Sequence, residues 1–369
     1  MPNQHTTETE KASQALAPLR EKIDSLDQQI VKLLNQRAGV VVEVGKIKQH
    51  ENAPVYAPER EKRVLDQIRK YNTGPLPDRT IESIWRELMS GSFALERPLR
   101  IGYLGPQGSY SHLAAKRKFG ASVEYDALSD INAVFEEITR KHIDLGMVPM
   151  ENSTEGSIHE TLDSFLTHPV AICAEVSINV HHNLLSNASV SDIKRIYSKP
   201  NGFSQCRKWL GMQLPHTELI PVASTSRAAE LASREADAGA IGSTLAGELY
   251  SIQTRFTNIE DNPNNTTRFL VIGNEKSKPS GDDKTAIMFT TAHKSGALAQ
   301  VLDIFRNHGL NLTHIDNRPS QRANWEYCFF IDFPGHEKDE NVVNAITQAR
   351  QHCLQLSVLG SFPRSLDIL

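Results

Sequence analysis

The sequence predicts a multidomain chain with an all-α first part, an α/β middle and a small α+β end. Three observations carry this. Apolar residues between Leu16 and Glu96 recur at helical three- and four-residue steps. Over residues 98–275 short apolar strands alternate with helical stretches, the pattern of a parallel or mixed sheet with covering helices. After the polar linker Asn274–Asp283 the elements follow a βαββαβ order, the ferredoxin-like arrangement. A length of 369 residues suits two or three domains rather than one.

The first helix is expected over Leu16–His50, with Leu19, Ile23, Leu26, Ile30, Leu33 and Leu34 on its apolar stripe. Asn52-Ala53-Pro54 stops it, since proline forces its predecessor out of the α region. A second helix fits Pro58–Tyr71 and a third Asp78–Glu96, separated by the turn Gly74-Pro75-Leu76-Pro77. Two short helices cannot cover so long a first one, so a second copy of the chain is its natural partner. The boundaries are a disordered tail 1–14, domains 15–97, 98–275 and 284–364, and a linker 276–283.

Composition excludes several classes. The chain is 39% hydrophobic, too apolar for disorder, and its net charge of −4 speaks against a general nucleic-acid binder. No apolar run reaches the about 18 residues that span a bilayer, and the polar start lacks a signal peptide. The four cysteines form no metal pattern and read as reduced thiols of a cytoplasmic protein. No metal or cofactor is expected.

Arg37 and Lys48 lie about 20° apart around the first helix axis, so they share a face; Arg20 is about 25 Å away along it. On spacing alone, solvated surface charges explain them equally well. The whole segment says more. Leu19-Arg20-Glu21-Lys22-Ile23, Leu33-Leu34-Asn35-Gln36-Arg37, Val44-Gly45-Lys46-Ile47-Lys48, Val55 through Glu61 and Ser92 through Glu96 resemble the all-helical chorismate mutase family in order and spacing. The resemblance implies that Arg37, Lys48 and a partner chain's Arg20 clamp substrate carboxylates, with Arg60 and Ser92 in support. Glu61 would hold the ring hydroxyl, and Lys48 and Glu96 would contact the ether oxygen. Many family members have glutamine at the last position; Glu96 would need a proton to donate there. Mutase activity is therefore expected to fall at alkaline pH, and Glu96→Gln to flatten the profile. An acidic residue of some members is Ala57 here.

Gly105-Pro106-Gln107-Gly108-Ser109-Tyr110-Ser111-His112 follows a predicted strand and opens a helix, a loop able to present N–H groups to an anion. It is neither a Walker loop nor GxGxxG. With Glu151-Asn152-Ser153, Ser198-Lys199-Pro200, Gln205-Cys206, Ser224-Thr225-Ser226 and Asn265-Thr266-Thr267-Arg268-Phe269, the region resembles prephenate dehydratase. That implies a two-lobed, periplasmic-binding-protein-like domain with Thr267 as catalytic residue. Ser111, Glu151, Asn152, Ser153, Ser198, Gln205 and Arg268 would line or support the cleft.

The final βαββαβ segment resembles an ACT domain, an amino-acid-sensing module. Gly296, Ala297 and Leu298, with Asp316, Asn317, Arg318 and Pro319, would be its phenylalanine-binding loops; the second motif departs from the usual Glu-Ser-Arg-Pro at two positions. Together the resemblances imply a homodimeric enzyme of phenylalanine synthesis with chorismate and prephenate as substrates and phenylalanine as effector. A non-catalytic amino-acid sensor and an arogenate-accepting dehydratase are the competing readings.

Overall fold

The computed structural model describes the backbone of residues 8–51, 53–320, 326–365 and 368–369, and side chains from residue 14 onward within those spans. Trp325, expected to open a strand, lies outside the described residues.

Helix α1 (Glu8–Glu51) is 44 residues long, about 66 Å at 1.5 Å per residue. It starts inside the expected tail and runs through Pro18, because Glu8-Thr9-Glu10-Lys11-Ala12 contains good helix formers and no breaker. The chain to Val55 and the segment Ser92–Pro98 form one compact unit; Tyr56–Gly91 and Leu99–Leu369 form another. In the first unit the apolar stripe of α1 is largely uncovered: Leu19, Ile23, Ile30, Leu33, Val40 and Ile47 are each more than half exposed.

The second unit begins with α2 (Pro58–Tyr71), led by proline at its first turn, and includes most of α3 (Asp78–Glu96). Both match the sequence reading. Tyr56 stacks edge-on against Phe119, ring centroids 5.2 Å apart, which docks this segment on the middle domain.

That middle domain has two sheets. The first contains β1 (Arg100–Leu104), β2 (Glu124–Leu128), β3 (Leu145–Asn152), the short β4 (Gly156–Ser157) and β5 (Ala171–Asn179), with α4 (Tyr110–Phe119), α5 (Ile131–Thr139) and α6 (His159–Thr167) between them. The second contains β6 (Asn183–Ser186), β7 (Arg195–Ser198), β8 (Glu218–Pro221), β9 (Ala238–Gly242) and β10 (Thr254–Phe256), with α7 (Pro200–Gln205), α8 (Arg207–Gln213), α9 (Thr225–Ser233) and α10 (Thr244–Leu249). Side-chain oxygens of Ser109, Asp130, Ser224 and Ser243 cap α4, α5, α9 and α10. The chain then returns to the first sheet as β11 (Thr266–Gly273), antiparallel between β3 and β5, giving the order β2-β1-β3-β11-β5. The chain therefore crosses between lobes twice, and the strand bearing Thr267 follows the second crossing.

The last domain has β12 (Asp283–Thr290), α11 (Ala297–Asn307), β13 (His314–Pro319), β14 (Tyr327–Pro334), α12 (Glu340–Arg350) and β15 (Gln355–Pro363), with strand order β13-β14-β12-β15. Strand alternation gives its sheet two apolar faces. Ile287, Phe289, Ile331 and Phe333 pack under α11 and α12. Ala286, Cys328, Phe330 and Phe362 share a core with Val148, Leu270 and Ile272 of the middle domain. The expected linker is accordingly short and partly buried: Ser277 donates to the Cys173 carbonyl at 2.7 Å.

Candidate functional sites

In the first unit, α1 and the end of α3 bring four of the expected residues together. Arg37 donates to Ser92 Oγ at 2.9 Å, and Lys48 Nζ meets Glu96 Oε2 at 2.9 Å and the Val55 carbonyl at 3.1 Å. Gly45 permits the approach: a Cβ there would stand 3.1 Å from Glu96 Cγ and 3.3 Å from its Cα. In this arrangement Glu96 accepts from a cation and is not a donor. Arg20 is exposed, seventeen residues before Arg37 on the same helix, beyond the reach of any side chain. Arg60 is exposed on α2, whereas Glu61 is buried, accepting from Tyr56 at 2.8 Å and paired with Lys118 of α4 at 2.9 Å. Burial first, then Glu61, pushes the Tyr56 hydroxyl well above its usual range.

The second site is built on adjacent rungs of β3 and β11. Thr267 pairs with Asn152 and Arg268 with Glu151, but Phe269 pairs with Pro149, so Met150 is an extra residue on β3. This bulge re-aims the residues that follow it. Asn152 turns toward Thr267, and Nδ2 donates to Thr267 Oγ1 at 2.8 Å and to Asn265 Oδ1 at 2.7 Å. The amide cannot be reversed, because the N–H groups of Thr154 and Glu155 already donate to its Oδ1 at 2.9 and 3.1 Å. Thr267 Oγ1 thus accepts from Asn152 and keeps its own proton to give.

Polar groups continue from there across the two lobes. Asn265 Nδ2 donates to Gln205 Oε1 at 3.1 Å, which also meets His182 Nε2 at 2.6 Å; Tyr110 OH lies 3.0 Å from His182 Nδ1. Burial lowers the His182 pKa, and a neutral ring donating at Nε2 fits the Gln205 contact, while the Tyr110 hydroxyl also donates to the His181 carbonyl at 2.7 Å. Glu155 accepts from Asn201 and Gln205. Ser198 and Ser226 are fully buried with hydroxyls that have no partner, free donors beside the loops that follow β7 and β8. Ser111 is buried in the first turn of α4, and Ser153 ties β3 to Thr266 N at 2.9 Å. Buried His112 accepts from Gly108 N at 3.0 Å and stacks on Tyr103, fixing the glycine loop, where Gly108 has a φ of 83°.

Two expected cleft residues turn the other way. Glu151 lies 3.5 Å from His314 of β13. Arg268 bonds Glu175 Oε2 at 2.8 Å and Asp332 Oδ2 of β14 at 2.6 Å. Sequence reasoning grouped them with Asn152 and Thr267 by motif, whereas strand alternation puts neighbouring residues on opposite faces. It missed His182, Tyr110, Asn265, Glu155 and Ser226 as site residues; Tyr110, Asn265 and Ser226 stood within quoted motifs, which was the available signal.

In the third domain Gly296, with φ 78°, leads Ala297 and Leu298 into α11. The other expected loop is strand β13. Alternation turns Asp316 and Arg318 toward the middle domain, where Arg318 forks onto Asp163 of α6 at 2.7 and 2.6 Å, and leaves Asn317 and Pro319 exposed. Among the described residues no cluster of three or more His, Cys, Asp or Glu is placed to hold a metal, and no helix is long and apolar enough to cross a membrane.

Known proteins share this layout. Residues 19–97 match the family model for chorismate mutase type II, 101–277 that for prephenate dehydratase, and 285–351 that for the ACT domain. A bifunctional chorismate mutase/prephenate dehydratase of Pseudomonas aeruginosa is 41% identical over 95% of this chain and 98% of its own length. One of Aquifex aeolicus is 39% identical over 95% and 98%. The crystal structure of an Arthrobacter aurescens prephenate dehydratase in complex with L-Phe is 30% identical with a TM-score of 0.67, covering 72% of this chain and 90% of that one. Identity of this degree over nearly the full length of both chains, with all three domains in order, makes the chain a member of the bifunctional chorismate mutase/prephenate dehydratase family.

Proposed function

We propose that the chain rearranges chorismate to prephenate in its helical domain and converts prephenate to phenylpyruvate in the middle domain. The observation that carries the second step is the Asn152–Thr267 pair. Loss of the ring hydroxyl as water needs a hydrogen-bond donor at the departing oxygen, while the carboxylate leaves as carbon dioxide and its bonding electrons complete the aromatic ring. A threonine hydroxyl is too weak an acid to hand over its proton unaided at neutral pH. Thr267 instead donates a positioned hydrogen bond and relays a proton from solvent. Ser198 and Ser226, with unpaired hydroxyls, suit substrate carboxylates.

The first step is pericyclic and needs no nucleophile, only a dianion held in its reactive shape. Arg37, Lys48, Ser92 and Glu96 supply one half of the clamp. The exposed apolar stripe of α1 supports an antiparallel homodimer in which Arg20 of the partner subunit completes it. Phenylalanine as effector at the ACT domain is supported by the L-Phe complex of the Arthrobacter aurescens relative. The buried thiols Cys173, Cys206 and Cys328, none of them in a disulfide, suit the cytoplasm. Thr267→Ala tests the assignment: phenylpyruvate formation from prephenate is expected to vanish while chorismate consumption continues. Retained dehydratase turnover would refute the role of Thr267.

A further inference from the structure

We propose that Arg268 is a positioning residue, fixing the Thr267 hydroxyl by anchoring β11 to the C-terminal sheet through Glu175, Asp332 and Lys284. Arg268 Nε donates to Glu175 Oε2 at 2.8 Å and a terminal nitrogen to Asp332 Oδ2 at 2.6 Å. Lys284 Nζ of β12 meets the same Glu175 oxygen at 2.9 Å, and Ser365 N donates to the other at 3.1 Å. The two carboxylates balance the two cations. Side-chain exposure is 3% for Glu175, 5% for Asp332, 12% for Lys284 and 14% for Arg268.

The consequence follows from burial and adjacency. Water cannot replace a lost partner here, so a buried charge must follow its counter-ion or the network must break. Asp332 and Lys284 stand on neighbouring strands of one sheet, so they move together when that sheet moves. Arg268 must move with them, and Thr267 is the next residue, its Cα about 3.8 Å away. Displacement of a catalytic group by about 1 Å costs roughly a hundredfold in rate. Leu270 and Ile272 extend the grip along the same face of β11 into the core shared with Ala286 and Phe330. Arg268 makes no contact with the polar chain around Thr267. It acts on the reaction from behind the strand. As the link to the regulatory domain, the network is also the route by which phenylalanine would slow dehydration, a point that rests on the proposed effector.

The test uses the full-length protein and the isosteric substitution Asp332→Asn, which keeps shape and removes the charge that holds Arg268. Dehydratase kcat is expected to fall about tenfold with KM for prephenate within about twofold, and mutase activity on the same sample to stay unchanged. Phenylalanine should bind the variant as it binds the parent, by calorimetry, while maximal inhibition drops by about half or more. Arg268→Met combined with Asp332→Leu, which leaves no unpaired charge between those two positions, should show the same kcat loss; cooperative melting verifies that both variants fold. Unchanged kcat and full inhibition in Asp332→Asn would overturn the proposal, reducing the network to static glue. A raised KM at constant kcat would also overturn it, because it would place Arg268 on the substrate. If the parent protein gives no heat with phenylalanine, the effector reading fails and the kcat–KM split alone decides the role of Arg268.

Discussion

Asn152 donates to Thr267 Oγ1 at 2.8 Å, and the backbone N–H groups that hold its carbonyl oxygen make that direction the only one available. Asn152→Asp reverses it: a carboxylate accepts, so Thr267 would spend its proton on residue 152. Dehydratase kcat is expected to drop by about 10² to 10³, with KM little changed and the mutase unaffected. Steady-state kinetics on prephenate measures this; a variant with wild-type kcat would sink the assignment.

Lys48 and Glu96 form an ion pair in which the carboxylate accepts. Glutamine at 96 can still bond Lys48 through its carbonyl and adds an N–H able to reach an ether oxygen without a proton from solvent. Glu96→Gln is expected to raise mutase kcat about tenfold, because the amide can donate where the paired carboxylate only accepts. An unchanged kcat would remove position 96 from contact with the ether oxygen.

Gly45 sets two preferences against each other. Alanine is better than glycine inside a helix by about 1 kcal/mol, but its Cβ would press on Glu96 Cγ at 3.1 Å. Gly45→Ala should therefore leave the melting temperature nearly unchanged while cutting mutase turnover about tenfold through displacement of Glu96. Dehydratase activity is the internal control. Equal loss of both would indicate general damage instead.

His112 couples the glycine loop to pH. Burial, helped by Lys116, lowers its pKa from 6.5 to about 4, and burial lowers His182 as well. As pH falls, the unfolded chain takes up these protons before the folded one. The His112 contribution is complete above about pH 6.5 and is lost progressively between 6.5 and about 4, and that of His182 is lost in the same direction. Melting temperature should fall across that window, and His112→Asn, whose Oδ1 can accept from Gly108 N without titrating, should flatten part of the fall. An unaltered slope would exclude His112 as a source.

Much of this was legible in the sequence, and the limits have physical causes. The ends of α2 and α3 follow from Pro58 and the Gly74–Pro77 turn, signals that act within a few residues. Strand alternation gave the ACT-like order and most strand centres. What Glu151 and Arg268 face was not legible, because their partners, His314 and Asp332 respectively, each stand more than 60 residues later in the chain. Arg318 and Asp163 are 155 positions apart, and nothing local marks them as partners. His182 and Tyr110 belong to the polar chain only because the two lobes close on each other.

The extra residue at Met150 gives β3 something like a reading frame. Asn152 and Glu151 face opposite ways, one to the Thr267 hydroxyl and the other to His314 of the ACT domain, and the bulge keeps that assignment in register. Flattening the bulge with the sequence kept would slide Glu151 opposite Thr267, whereas deleting Met150 would leave Glu151 opposite Arg268 and Asn152 opposite Thr267. Met150 itself is buried in the core shared with Leu270 and Ile272, so a polar residue there should destabilise the fold.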